Sequence, residues 1–440
     1  MLKKLLLHLT PLLLAAIPPL GVAAPMQTAD LLALYQIALE RDPQLAIAAE
    51  SLNATLELRP QARSALLPKV SVGVDLLYND SPSNAPGSYT QPLTADITAK
   101  QGIYHRDALI LKDESEIHID QANTEYANAL QGIIIRIASA YFDLLAAQDN
   151  LALAEAEKRA ISQQLNQTKQ RHQVGLSAIT DVHEAQAGYD LVVAQEIAAG
   201  SGVDNAREKL REIIAEAPES IMPLGEDIPL VAPEPDNIDN WVKMALEQNL
   251  TLLASRKNVE AMRLATSRVA AANAPSVDLI AGYGYNDNLA FDSSNNSNNT
   301  TFIGLQMEMP LYTGGYNSSK VREATFMQRQ AEERLEQQQR TTIRATRSAF
   351  LGVKTGISQV AAQRQALASV KVALSATQAG FEVGTRTTVD LLNSQKELFR
   401  VERDLSKARY TYLLATLNLK QAAGTLSEAD LHEVNRFLRR

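Results

Sequence analysis

Two stretches of the chain alternate apolar and polar residues with a period of two. In the first, Val70, Val72, Val74, Leu76 and Tyr78 share one face. Leu93, Ala95, Ile97 and Ala99 then alternate with Thr94, Asp96, Thr98 and Lys100. In the second, Val277, Leu279, Ala281, Tyr283 and Tyr285 are followed by Ile303, Leu305, Met307 and Met309, set against Gly304, Gln306 and Glu308. This period predicts two β-hairpins, over 69–101 and 276–310. Each strand is about 10 residues, the length of a tilted strand that crosses a bilayer. Tyr78, Tyr104, Tyr283, Tyr285 and Tyr312 are predicted near strand ends, where interfacial aromatics belong. A soluble sandwich edge would alternate in the same way. Export and aromatic placement favour the membrane. The stretches 79–92 and 287–300, rich in Ser, Asn, Pro and Gly, read as solvated loops at a cell surface.

Elsewhere the pattern is helical. No Pro occurs from 106 to 172 or from 316 to 381. Each run predicts a helix spanning roughly 100 Å at about 1.5 Å per residue. The returning helix of the second half places Leu391, Ser394, Leu398, Val401, Leu405, Ala408, Tyr412, Ala415, Leu419 and Ala422 at 3,4 spacing. That spacing specifies coiled-coil packing. Pro218, Pro223, Pro229, Pro233 and Pro235 break any helix, so 217–240 is expected to be a connector alongside the helices.

The elements occur twice. At an offset of 207, Ala38-Leu39-Glu40 meets Ala245-Leu246-Glu247 and Pro68 meets Pro275. Further on, at 209, Ser139-Ala140-Tyr141 meets Ser348-Ala349-Phe350, Val174-Gly175 meets Val383-Gly384, and Asp181 meets Asp390. A first structural repeat is expected over 24–216, with long helices over 106–216. A second is expected over 241–426, with long helices over 316–423. A C-terminal segment, 427–440, should lie beside the connector. The period is too long for an ordinary solenoid.

Lys3 and Lys4 precede the apolar run 5–20, and Gly21, Ala23 and Ala24 follow. This reads as a secretory signal peptide, 1–23, removed on export. Without it, 40 basic face 50 acidic residues, a net charge of −10. An acidic exported chain is a poor nucleic-acid binder. With no cysteine there is no disulfide, thiolate site or lipidated N-terminal Cys. The six histidines have no metal-ligand spacing, and no phosphate loop, GxSxG or HExxH occurs. No enzyme, cofactor or metal is expected.

Four strands cannot close a barrel, and exposed strand edges in lipid leave backbone groups unsatisfied. Two or more copies must therefore pool strands, eight in a dimer or twelve in a trimer.

The segments Val174-Gly175-Leu176-Ser177-Ala178-Ile179-Thr180-Asp181-Val182, Val383-Gly384-Thr385-Arg386-Thr387-Thr388-Val389-Asp390-Leu391, Ala408-Arg409-Tyr410-Thr411-Tyr412-Leu413 and Ala423-Gly424-Thr425-Leu426 resemble the TolC family of outer-membrane channel proteins. The resemblance covers essentially the whole mature chain. It implies a mainly α fold with membrane β. A homotrimer would share one twelve-stranded outer-membrane barrel, continuous with a long periplasmic α-helical coiled-coil barrel. It implies an exit duct for drugs or polypeptides in outer-membrane lipid. The duct would dock through a periplasmic adaptor (a membrane fusion protein) to an inner-membrane ABC or RND-type transporter. Two other classes stay open: a periplasmic coiled-coil adaptor and a surface structural protein without a pore.

Three groups of site residues follow. Gly175 and Gly384 are at helix ends, where Gly is the ordinary C′ residue. The resemblance adds adaptor docking by Val174, Gly175, Leu176, Val383, Gly384 and Thr385. It also implies a periplasmic gate in which Arg386 links to Asp181 and Thr180 and holds the inner helix pair to the outer one. Here Phe381 stands where close relatives have a hydrogen-bonding Tyr. His172, its counterpart, offers a polar contact or faces solvent. Asp390 begins a helix, which an acidic residue favours. Around a threefold axis it would form an acidic pore ring, with Asn393 where relatives carry a second Asp.

Overall fold

In the computed structural model the described residues are 29–77, 79–80, 89–90, 92–288 and 298–439. The leader expected over 1–23, Tyr78 and most of the two loops lie outside them.

The first half runs α1 (Leu31–Arg41), α2 (Pro43–Leu56), α3 (Leu58–Ser64), β1 (Lys69–Leu76), β2 (Asn79–Asp80), β3 (Tyr89–Thr90), β4 (Pro92–Tyr104), α4 (Arg106–Gln173) and α5 (Ile179–Ile214). The second runs α6 (Ile238–Gln248), α7 (Leu250–Ala271), β5 (Ser276–Asn288), β6 (Asn298–Glu308), α8 (Tyr316–Glu382), α9 (Thr388–Ala423) and α10 (Glu428–Asn435).

The repeat extends to the helix caps. Asp30 Oδ1 accepts from Ala33 N at 2.7 Å, and its mate Asn237 caps α6 through Asp239 N at 2.9 Å. Asp42 Oδ2 accepts from Leu45 N at 2.8 Å, and its mate Asn249 caps α7 through Leu252 N at 3.0 Å. Such side chains satisfy the orphan N–H groups of a first turn. The halves differ at Pro60, which has no N–H to bond the Leu56 carbonyl. The helix breaks there into α2 and α3, whereas α7 is continuous.

All four long strands form one antiparallel sheet, ordered β1-β4-β5-β6. Cross-strand rows give the two faces. Val70, Ala99, Ala281 and Ile303 form one row, and Val72, Ile97, Tyr283 and Thr301 the next. The opposite face carries Gly73, Asp96, Gly284 and Thr300, then Asp75, Thr94, Asn286 and Asn298. One face is therefore apolar and the other polar. Strand bounds differ from the expected ones in three places. β4 continues to Tyr104, past 101. β5 runs to Asn288 and β6 starts at Asn298, both inside the stretch expected to be loop. Tyr283 consequently lies mid-strand, not near an end. Within the other expected loop, Asn79 pairs with Thr90 and Asp80 with Tyr89.

α4 and α8 are 68 and 67 residues long, about 100 Å each. α5 returns along α4, and α9 along α8 and α4. The 3,4 seam of α9 is buried or half-buried throughout. Leu392, Tyr410, Leu413 and Leu417 are buried too, because α9 packs on two helices at once. The main core lies midway along these helices. There Tyr141 donates to the Met222 carbonyl at 2.7 Å, and Phe142 stacks on Tyr410 at 5.7 Å. The connector is tied in by bridges from Ala29 to Ile221 and from Leu224 to Leu438. α6 starts at Ile238, inside the stretch expected to be connector.

Candidate functional site: the helix tips

The two helix-turn-helix tips lie at the ends of α4 and α8 remote from the sheet. Both turns close in the same way. Gly175 N donates to the His172 carbonyl at 2.9 Å and Leu176 N to the Arg171 carbonyl at 2.8 Å. Gly384 N donates to the Phe381 carbonyl at 3.2 Å and Thr385 N to the Gly380 carbonyl at 2.8 Å. These bond pairs form Schellman motifs, with the C′ residue left-handed. φ is +78° at Gly175 and +80° at Gly384, and open space surrounds both Cα atoms. Val174, Leu176 and Val383 are 69%, 69% and 76% exposed. The six residues of the expected docking set thus meet water at two turns of like shape.

The returning helices start differently. Thr387 Oγ1 accepts from Asp390 N at 3.1 Å, and Asp390 Oδ2 accepts from Thr387 N at 3.0 Å. That is a reciprocal capping box. These bonds, and Arg386 nearby, hold the Asp390 carboxyl below the usual carboxylate range. In the first copy Ala178 has no side-chain acceptor. Asp181 Oδ2 accepts instead from Ser177 Oγ at 2.7 Å and Ala178 N at 3.3 Å. His172 Nδ1 is 2.9 Å from the Ser177 carbonyl oxygen, so it serves its own turn. Asn393 and Thr180 are exposed.

Arg386 does not reach Asp181 or Thr180 within one chain. Among the described residues its guanidinium has no ion-pair or hydrogen-bond partner. Its stem lies over Gly380, where an added Cβ would stand 2.7 Å from Arg386 Cγ. Phe381 is engaged by a residue outside the expected set: the Arg171 guanidinium lies 4.9 Å from its ring centroid.

Above the tips a small apolar cluster joins the two helix pairs. It comprises Ile161 and Leu165 of α4, Ala185 and Val192 of α5, and Leu392 of α9. Higher still, Arg403 Nη1 of α9 lies 3.3 Å from the buried Glu157 carboxylate of α4.

A chain of this form has known relatives. The sequence profile of the outer membrane efflux proteins matches residues 34–216 and 241–425. The chain belongs to the outer membrane efflux protein family. It is 39% identical to the outer membrane protein TolC of Vibrio cholerae, over 99% of each chain. It is 27% identical to the alkaline protease secretion protein AprF of Pseudomonas aeruginosa, over 91% of this chain and 85% of that one. The structure is similar to crystal structures of CusC, which are described in terms of transmembrane channel formation. The TM-score is 0.77 at 15% identity, covering 93% of this chain and 96% of that one. This outer membrane efflux protein accordingly has the family's fold, a sheet for the outer membrane continuous with long helices for the periplasm.

Proposed function

We propose that three copies of this chain form an exit duct from an inner-membrane pump across the periplasm and outer membrane. The carrying observation is the sheet: four strands, one apolar face, and edges at β1 and β6 that each have a single partner. Such edges in lipid require pairing with further copies. Three copies give twelve strands, with the apolar face toward lipid and the polar face toward a lumen. AprF, a relative named for protease secretion, supports polypeptide cargo, and the family's description supports efflux. The reading uses no catalytic residue, cofactor, metal or nucleic acid.

At the other end the turns would meet the periplasmic adaptor, with Val174, Leu176 and Val383 as apolar contacts. An ABC or RND-type transporter would lie beyond it. Arg386, which has no ion pair or hydrogen bond from its guanidinium among the described residues, is available to Thr180 and Asp181 of a neighbouring copy. Such a link between partly exposed groups is worth about 0–1 kcal/mol. Threefold repetition of it makes a gate that docking can release.

The test combines fractionation, mass measurement in detergent and planar-bilayer recording. The reading predicts an outer-membrane trimer that conducts. A soluble periplasmic protein would favour an adaptor instead. A membrane protein that never conducts, even with its tips mutated, would favour a structural role.

A further inference from the structure

Midway along the long helices a cavity of about 300 Å³ opens where the connector meets α6, α9 and α10. Val231 of the connector, Trp241 of α6, Val353 of α8, Leu417 of α9 and Val434 of α10 line it. The hydroxyls and the indole N–H in its wall are already bonded within the protein. Trp241 Nε1 donates to the Pro235 carbonyl at 2.9 Å, and Thr416 Oγ1 to the Leu413 carbonyl at 2.7 Å. Tyr412 Oη accepts from Val231 N at 2.8 Å and donates to the Val231 carbonyl at 3.2 Å. A molecule in this space therefore gains by leaving water rather than by hydrogen bonding to the wall. The charged groups around it are mostly acidic. Lys420 is held by Asp430 at 2.5 Å and Glu433 at 3.7 Å. Glu234, exposed beside the cavity, has no ion-pair partner among the described residues. One ammonium thus stands against three carboxylates, a surplus of two negative charges.

We propose that this cavity binds a compact hydrophobic amine, with its apolar body among Val231, Trp241, Val353 and Val434 and its ammonium beside Glu234 and Glu433. The volume sets the size of the body, because ligand sites range over about 300–1,000 Å³ and this one is at the small end. The surplus of carboxylates sets the sign of the charge. An anion of the same shape would meet three like charges and only one ammonium, which two carboxylates already hold. The apolar wall sets the rest of the chemistry, since a sugar or a peptide backbone would leave its polar groups unpaired there. The site is built from one chain's own residues, beneath the connector and apart from the polar face of the sheet and from the tips.

Trp241 is the only tryptophan of the chain, so its emission reports on the cavity directly. The purified protein, in lipid discs of uncharged phospholipid, is titrated with 4-tert-butylbenzylammonium. A parallel titration uses 4-tert-butylbenzoate, which has the same apolar body and the opposite charge. The ammonium should change the emission saturably, with calorimetry giving the same affinity, and should bind about tenfold or more tighter than the benzoate. Glu234→Gln should weaken it by about two- to fivefold, the range for one partly exposed charge. Ala232→Leu fills the cavity from an exposed lining position, so it should abolish binding while thermal unfolding without ligand stays near native. Absence of saturable binding by the native protein would overturn the site, and a neighbouring copy seated over the cavity would give that result. Equal affinity for the two compounds would overturn the assigned charge. Undiminished binding by a folded Ala232→Leu variant would overturn the location. Each of these results leaves the duct reading as it is.

Discussion

The Phe302 ring of β6 lies over Gly282 of β5, its directly paired residue. A Cβ on Gly282 would come within 2.6 Å of Phe302 Cζ and 3.2 Å of the Ile97 carbonyl oxygen. The ring thus covers the bare backbone of the glycine on the polar face of the sheet. Gly282→Ala forces the ring off the wall against a strand that cannot retreat. Overpacking of this kind costs about 1–3 kcal/mol. The temperature at which the folded oligomer dissociates on gels should fall by several degrees. Phe302→Leu alone should cost less. Combined with Gly282→Ala it should recover part of the loss, since the clash is then relieved. Purely additive losses would show that the ring does not rest on Gly282.

Three glycines with positive φ end long helices, yet their surroundings differ. Gly175 and Gly384 stand in open space. At Gly424, with φ of +80°, a Cβ would overlap the Gln248 carbonyl and lie 2.8 Å from Asn249 N. Gly384→Ala should therefore cost only the left-handed strain, about 1–2 kcal/mol. Gly424→Ala should cost clearly more, and thermal unfolding should rank the two in that order. Equal losses would mean that the end of α9 can move away from the α6–α7 junction.

Gly384→Asp tests docking rather than stability. The tip has room for the side chain, so trimer formation and membrane insertion should persist. Export in cells should be lost, because a carboxylate then stands among the exposed apolar residues at the tips. Normal export by this variant would reject the tips as the docking surface.

Much of this architecture is legible in the sequence, because two strong periodicities carry it. Period two marked the strands, and unbroken 3,4 spacing marked the helices. The offset of 209 aligned α4 with α8 and both tips. The sheet ends were misread because Asp287, Asn288 and Asn298 look like loop residues, and only backbone pairing makes them strand. Asp42 was missed for another reason. It caps α2 and also accepts from Arg136 Nη1 at 3.1 Å, a partner 94 residues away. Its mate Asn249 is neutral, and Arg136 aligns with Ala345, so the repeat hides the pair. Arg171 was the opposite case. In the aligned copies it stands opposite Gly380, and Ser177 opposite Arg386, but its contact with Phe381 requires the direction of the side chains.

Glu157 gives the helical barrel a pH dependence. It is 2% exposed on α4, and burial pushes its pKa up, against the opposing pull of Arg403. The folded state therefore holds the proton more tightly than the unfolded chain does. The protonated carboxyl favours folding below the ordinary value of 4.5, and that advantage is lost as pH rises through the folded value. Between native protein and Glu157→Gln, the difference in melting temperature should change in this window. The native protein should lose ground as pH rises above about 4.5. A constant difference would mean that Glu157 is solvated in the folded trimer.

Asp390 caps a helix, and we propose a second role for it in the pore, which a bilayer experiment separates from the first. Its bonds to Thr387 make it the start of α9, and they hold its pKa down, so it stays charged to below the usual carboxylate range. Three such charges around a threefold mouth would attract cations and repel anions. With Asn393 one turn further, the proposed ring would be a single one. Block by multivalent cations should be present, and Asn393→Asp should strengthen it. Asp390→Ala should abolish the block while weakening the cap by about 1 kcal/mol. Asp390→Asn retains an acceptor for the cap but no charge, so it isolates the electrostatic part. If Asp390→Asn blocks like the native channel, the carboxylate is a cap alone and the ring assignment falls. If acidification below the usual carboxylate range leaves block unchanged until Asp390 is protonated, the depressed pKa and the ring are one group.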